Sequence, residues 1–217
     1  MGIMKAKKIA AVMLAATMTL SLAACGGSSS SDSKSADGAS DSGKVYKIGI
    51  CQQLEHEALD QATKGFEDAC EEKFGKDNVT FDLQNGQGEQ ANCATIANNF
   101  VADNVDLIMA NATTALQCSA AATSDIPILG TSITDYATAL DISDWTGATG
   151  MNISGTSDLA PIDKQEEMLT ELVPDAKTVG ILYCSAEPNS AYQANLFAEA
   201  LKKDGITCKE YTADRFK

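Results

Sequence analysis

Val105-Asp106-Leu107-Ile108-Met109-Ala110 reads as a strand with almost no polar face. A strand that is apolar on both sides is covered on both sides, which marks a parallel sheet held between helices. Beyond it, an alanine-rich helix is expected over 114–122 and a further strand over 126–129. Upstream, Val45 to Cys51 and Val79 to Leu83 read as strands. Between them, 58–74 places Leu59, Ala62, Phe66, Cys70 and Phe74 on one helical face. A helix over 89–102 is expected to bury Cys93, Ile96, Ala97 and Phe100. The succession is βαβα, so the expected fold class is α/β, with a parallel sheet and right-handed crossovers.

Downstream the pattern weakens and then restarts. Residues 131–152 are short, polar and glycine-bearing, with Trp145 alone among them. They are read as a weak strand pair and a crossing between lobes. Met168, Leu169 and Leu172 then mark a helix ended by Pro174, 178–184 a strand, and 190–203 a helix closed by Gly205. A last strand begins at Ile206. The expected layout is therefore lobe one over 45–152, and a hinge crossing with a partial lobe two over 153–217. Two strands and two helices leave an open sheet edge and an incomplete core. The chain is accordingly expected to be a fragment.

The N-terminus speaks to location. Lys5, Lys7 and Lys8 precede an uncharged apolar run from Ile9 to Leu22, too short for a comfortable membrane span. Leu22-Ala23-Ala24-Cys25 resembles the bacterial lipobox. It implies a signal peptide over 1–24 and a diacylglyceryl group on Cys25. The Ser/Gly-rich stretch over 25–44 cannot bury enough apolar area to fold and is read as a tether. Localisation is thus expected to be extracytoplasmic and lipid-anchored. Removing the signal leaves 13 basic against 30 acidic residues, a net charge of −17. Such a surface repels nucleic acid and does not adhere to anionic lipid by charge, so attachment falls to the lipid. The remaining six cysteines form no C-x-x-C pair and sit mostly in apolar runs, where a thiol acts as a small hydrophobe.

Ligands on open α/β sheets bind outside the carboxyl ends of the strands. That rule gathers Gln52, Gln53, Glu55 and His56 after the first strand, and Asn111 and Thr113 after the third. Thr131, Ser132 and Asp135 follow the fourth, Thr156 and Ser157 lie at the crossover, and Glu187, Asn189 and Ser190 follow the strand of lobe two. Hydroxyls and amides suit a carboxylate, and carboxylates suit an ammonium, so a small zwitterion fits the set. Taken singly, such residues before helices are more often N-caps. Catalysis is not expected. His56 is the single histidine, which excludes a His-rich metal site, and no G-x-S-x-G elbow occurs. No cofactor is expected either. Gly86-Gln87-Gly88-Glu89-Gln90-Ala91 fits G-x-G-x-x-A, but it follows the second strand and places Glu89 where a pyrophosphate would lie. A structural turn is the better reading.

Several blocks together resemble the substrate-binding lipoproteins of ABC importers, in the tryptophan and tyrosine branch of the type I periplasmic-binding-protein fold. They are Tyr46-Lys47-Ile48-Gly49-Ile50, Glu55-His56-Glu57-Ala58-Leu59-Asp60, Asn85-Gly86-Gln87-Gly88 and Ala110-Asn111-Ala112-Thr113. Gly130-Thr131-Ser132, Asn152 to Asp158 and Tyr183 to Ser190 continue the match. The resemblance implies two Rossmann-like lobes closing on a small molecule, an aromatic amino acid, and delivering it to a membrane permease. Members of this family continue for roughly another hundred residues. The protein is expected to act as a monomer and not as an enzyme. A ligand-sensing surface lipoprotein, or less readily an exported Rossmann-type enzyme, would share these features.

Overall fold

The structure is a computed structural model that describes residues 43–214. The expected signal peptide, the lipidation site Cys25 and all but the end of the tether lie outside the described residues. Strands β1 (Tyr46–Gln52), β2 (Val79–Asn85), β3 (Leu107–Asn111), β4 (Ile128–Ile133) and β5 (Ile153–Ser157) form one parallel sheet. Its order is β2-β1-β3-β4-β5. Helices α1 (Glu57–Phe74), α2 (Gln90–Ala102), α3 (Thr113–Ala122) and the single turn α4 (Tyr136–Ala139) connect them.

Side chains alternate across a strand, and β1 shows the consequence. Ile48 and Ile50 face α1, where they pack with Cys70, Val79 and Met109. Gly49 and Cys51 face the opposite way. Gly49 is needed there because a Cβ would lie 2.6 Å from the ring of Phe100 on α2. Phe100, Ile108, Leu116 and Ile128 build that second core. In β3, Ile108, Met109 and Ala110 are all buried, as an apolar strand between two helical layers must be.

A second, two-stranded parallel sheet joins β6 (Thr178–Cys184) and β7 (Thr207–Ala213), and α5 (Ile162–Leu172) packs on α6 (Pro188–Lys203). Its core is thin: Cys184, Ala194, Leu201 and Ile206 are buried, whereas Leu182 and Tyr211 stand open. Gly205 follows α6 at φ +75°, the left-handed position that closes a helix, with Asp204 as the cap itself.

Two expectations need correction. Residues 131–152 hold no strand pair. They finish β4, form α4 and then run as turns to Asn152. The boundary at 152/153 also falls one strand early, since Ile153–Ser157 is the fifth strand of the first sheet. It carries one buried apolar residue, Ile153, and so lacks the alternation that advertises a strand. Edge pairing creates it instead. β5 runs beside β4 through a register shift between Gly130 and Ile133. Gly155 sits at φ +153°, where a Cβ would collide with the Gly130 carbonyl and the Tyr136 hydroxyl.

Candidate functional site

The loop leaving β1 is built on a buried polar network. Gln52 donates from Nε2 to the Leu54 carbonyl (2.9 Å) and Asp60 Oδ1 (2.6 Å), and its Oε1 accepts from Thr63 Oγ1 (2.7 Å). Asn111, at the end of β3, donates from Nδ2 to the Leu59 carbonyl (2.8 Å) and to Thr63 Oγ1 (3.0 Å). Asn111 is wholly buried, and its Oδ1 has no hydrogen-bond partner among the described residues. Its amide nitrogen therefore ties β3 to α1. Thr113 is likewise buried, at the first position of α3.

With Gln52 held inward, Gln53 points across. Its Oε1 accepts from the Thr114 amide (3.0 Å). The α3 N-cap, Ala112, has φ +84° and supplies no capping side chain, so Gln53 satisfies one of the amides a helix start leaves open. The other end of the same side chain reaches the second sheet, where Gln53 Nε2 donates to Glu187 Oε1 at 3.4 Å. Glu187 is the N-cap residue of α6, and its Oε2 accepts from Ser190 Oγ (3.2 Å). A carboxylate at a helix N-terminus is favoured by the exposed amides there.

The remaining candidates fall into two groups. Around the same opening, Thr131 and Ser132 lie half-buried on the irregular end of β4, Ser132 at φ +57°. Asp135 caps α4 by accepting from the Thr138 amide (2.7 Å). It also faces the second sheet: α4 packs on α6, and burial together with the Asp135 charge raises the Tyr192 hydroxyl above its ordinary pKa. Glu187, Ser190, Tyr183 and Phe197 line a cavity of about 350 Å³ against β6. Asn189 lies half-buried in the first turn of α6.

The other candidates make local contacts or stand exposed. His56 is the exposed N-cap of α1, accepting at Nδ1 from the Ala58 amide (3.2 Å), beside exposed Glu55. Thr156 is exposed on the edge strand, and Ser157 donates to the Thr134 carbonyl (2.8 Å). The G-x-G-x-x-A segment is a turn, in which Gly86 and Gly88 donate to the Gln52 and Gln53 carbonyls. Sequence reasoning had Gln53 in view but assigned it no role. Its position at the exit of β1 was the available signal. Tyr192 was missed, because nothing local marks a helical tyrosine as facing another lobe. Among the described residues no group of three His, Cys, Asp or Glu could hold a metal.

A sequence model of the family described as ABC transporter substrate binding protein matches residues 47–217. A tyrosine-binding protein of Clostridioides difficile is 38% identical over 209 residues, 95% of this chain and 60% of that protein. A Streptococcus pneumoniae domain solved in complex with L-Trp is 35% identical with a TM-score of 0.73, over 79% of this chain and 58% of that one. The ligand-free, open structure of a substrate-binding protein with adhesive properties from Clostridium difficile is 38% identical with a TM-score of 0.61, at the same coverage. These relatives are binding proteins, and the chain spans about 60% of the curated relative's length. Two parallel sheets, strand-end loops that meet across them and a family match along most of the chain agree: the fold is that of type I periplasmic binding proteins, and the chain belongs to the ABC transporter substrate binding protein family.

Proposed function

We propose that this protein is an extracytoplasmic, lipid-anchored solute-binding protein that captures an aromatic amino acid between its two sheets and delivers it to an ABC permease, without catalysis. The meeting of Gln53 and Glu187 carries this reading. At 3.4 Å it is a long, neutral-donor hydrogen bond to a carboxylate. A ligand ammonium offers the same carboxylate a charge-assisted bond about twice as strong. The ligand would thus replace Gln53 on Glu187, while the hydroxyls of Thr131 and Ser132 take its carboxylate. Asp135, Asn189 and Ser190 frame the opening.

The relatives support the ligand class, through a tyrosine-binding protein and a complex with L-Trp. The higher TM-score to the L-Trp complex than to the ligand-free, open structure supports a closed spacing of the two sheets, since the open relative is the more identical in sequence. Cys25 and its tether would then keep the site near the permease and raise its local concentration.

The test is calorimetry of the full chain with tyrosine, tryptophan, phenylalanine, leucine and a neutral sugar. Saturable heat with at least one aromatic amino acid is expected. Heat with none of the three overturns the ligand assignment.

A further inference from the structure

Gln52 and Gln53 leave β1 toward opposite sides of the first sheet, as neighbours on a strand do. Both ends of the Gln52 side chain are satisfied beside α1. Gln53 takes the other side and is 7% exposed. Its backbone is fixed twice: its amide donates to the Asn111 carbonyl (3.1 Å), and its carbonyl accepts from the Gly88 amide (2.9 Å). Its side chain is anchored at one end, where Oε1 accepts from the Thr114 amide (3.0 Å). That anchor aims Nε2 out of the first sheet at Glu187 Oε1 (3.4 Å). Glu187 is held in turn by Ser190 Oγ at its other oxygen (3.2 Å), so each partner is steadied within its own lobe. Helix α4 also packs on α6, a second point at which the two lobes meet.

We propose that Gln53 sets the affinity of the binding site as a built-in competitor, occupying Glu187 in the ligand-free protein until the ligand's ammonium displaces it. The inference rests on the proposed function and extends it from the ligand to the residue that the ligand displaces. A side-chain amide donates an N–H without bringing a charge, whereas an ammonium brings both. The exchange on Glu187 therefore favours the ligand, but the bond to Gln53 must first be given up. A ligand shifts an equilibrium only by its differential interaction with the two states, so a contact confined to the ligand-free state weakens binding. Gln53 thus has the opposite sign to Glu187: removing Glu187 loosens the ligand, and removing Gln53 tightens it. Without ligand, Gln53 also gives a half-buried carboxylate a donor, which lowers the cost of holding the two sheets together around an empty site.

The experiment uses the full chain, with Gln53→Met to keep the side chain's length without its polar ends, and Gln53→Ala as a second variant. Calorimetry with tyrosine, tryptophan and phenylalanine should show about two- to tenfold tighter binding by the variants than by wild type, the worth of one net hydrogen bond. Unchanged or weaker binding overturns the proposal, because losing a residue that only caps α3 or shapes the loop would not raise affinity. The ligand-free protein supplies a second readout by heteronuclear NMR of the labelled chain. The side-chain amide signals missing from Gln53→Met belong to Gln53, and Glu187→Gln should shift them. Unmoved signals overturn the proposal whatever the calorimetry shows. Shifted signals with no heat from wild type or either variant keep Gln53 on Glu187 and overturn the aromatic ligand instead.

Discussion

The two parallel sheets of this protein are unequal. In the first, five strands lie between helical layers and bury Ile50, Phe100, Ile108 and Leu116 completely. In the second, two strands leave Leu182 at 64% and Tyr211 at 55% exposure. Apolar burial scales with the number of layers an element can hide against, so the first sheet carries the stability. The second is held to it by a few polar and helical contacts. That division suits a binding protein, in which one part must be rigid and the other free to change its distance from it.

The strongest way to break this comparison is to shorten one large side chain in each sheet. Phe100→Ala should cost about 3–5 kcal/mol in denaturant unfolding, whereas Leu182→Ala should stay within about 0.5 kcal/mol. Equal losses would show that the open face of the second sheet is covered as well as the first core. A smaller effect is expected at the polar junction. Glu187→Gln should weaken binding of an aromatic amino acid by about tenfold or more, given about 1.5–3 kcal/mol for a hydrogen bond to a charged group. Its unfolding midpoint should stay near wild type, because Glu187 lies outside the first core; calorimetry and urea titration separate the two readouts. Asn111→Ala should do the reverse, costing about 1–3 kcal/mol of stability by removing the two hydrogen bonds that tie β3 to α1.

The smallest effect concerns pH. Asp106 is paired with Lys44 (2.8 Å) and accepts from the Lys47 amide (2.8 Å), and these contacts lower its pKa. Its contribution is therefore complete above the ordinary aspartate pKa of about 3.9 and is lost as pH falls through the lower folded value. The pair is well exposed, so Asp106→Asn should change stability at neutral pH by only a few tenths of a kcal/mol, less in high salt. A loss above about 1 kcal/mol would mean that this edge of the first sheet matters more than its burial suggests.

Periodicity made much of the first sheet legible. Cys93, Ile96, Ala97 and Phe100 repeat at helical spacing, and they are the residues α2 buries. Strand β5 escaped because Ile153-Ser154-Gly155-Thr156-Ser157 carries no alternation. Its reason for being a strand lies in β4, more than twenty residues upstream. The site was legible as a sheet edge but not as a set of partners. Asn111 gave no local sign that its amide has an acceptor at Leu59, 52 residues away. Gln53 looked ordinary until its partner appeared at Glu187, 134 residues away. Hydrogen bonds across such separations leave no trace in local residue spacing.

Tyr136 constrains two glycines differently. Its hydroxyl donates to the Gly130 carbonyl (3.0 Å), lies near the Thr156 carbonyl, and is pushed up to about 12 by burial and the charge of Asp158. A methyl group on Gly130 would meet that hydroxyl first, whereas one on Gly155 would meet the Gly130 backbone as well. Trimming the tyrosine to phenylalanine would therefore relieve the first position and not the second. At Gly130 the ring and Ile133 would remain 3.1–3.2 Å from an added methyl once the hydroxyl is gone, a crowding that small shifts can absorb; Gly155 stays for as long as β4 and β5 lie side by side.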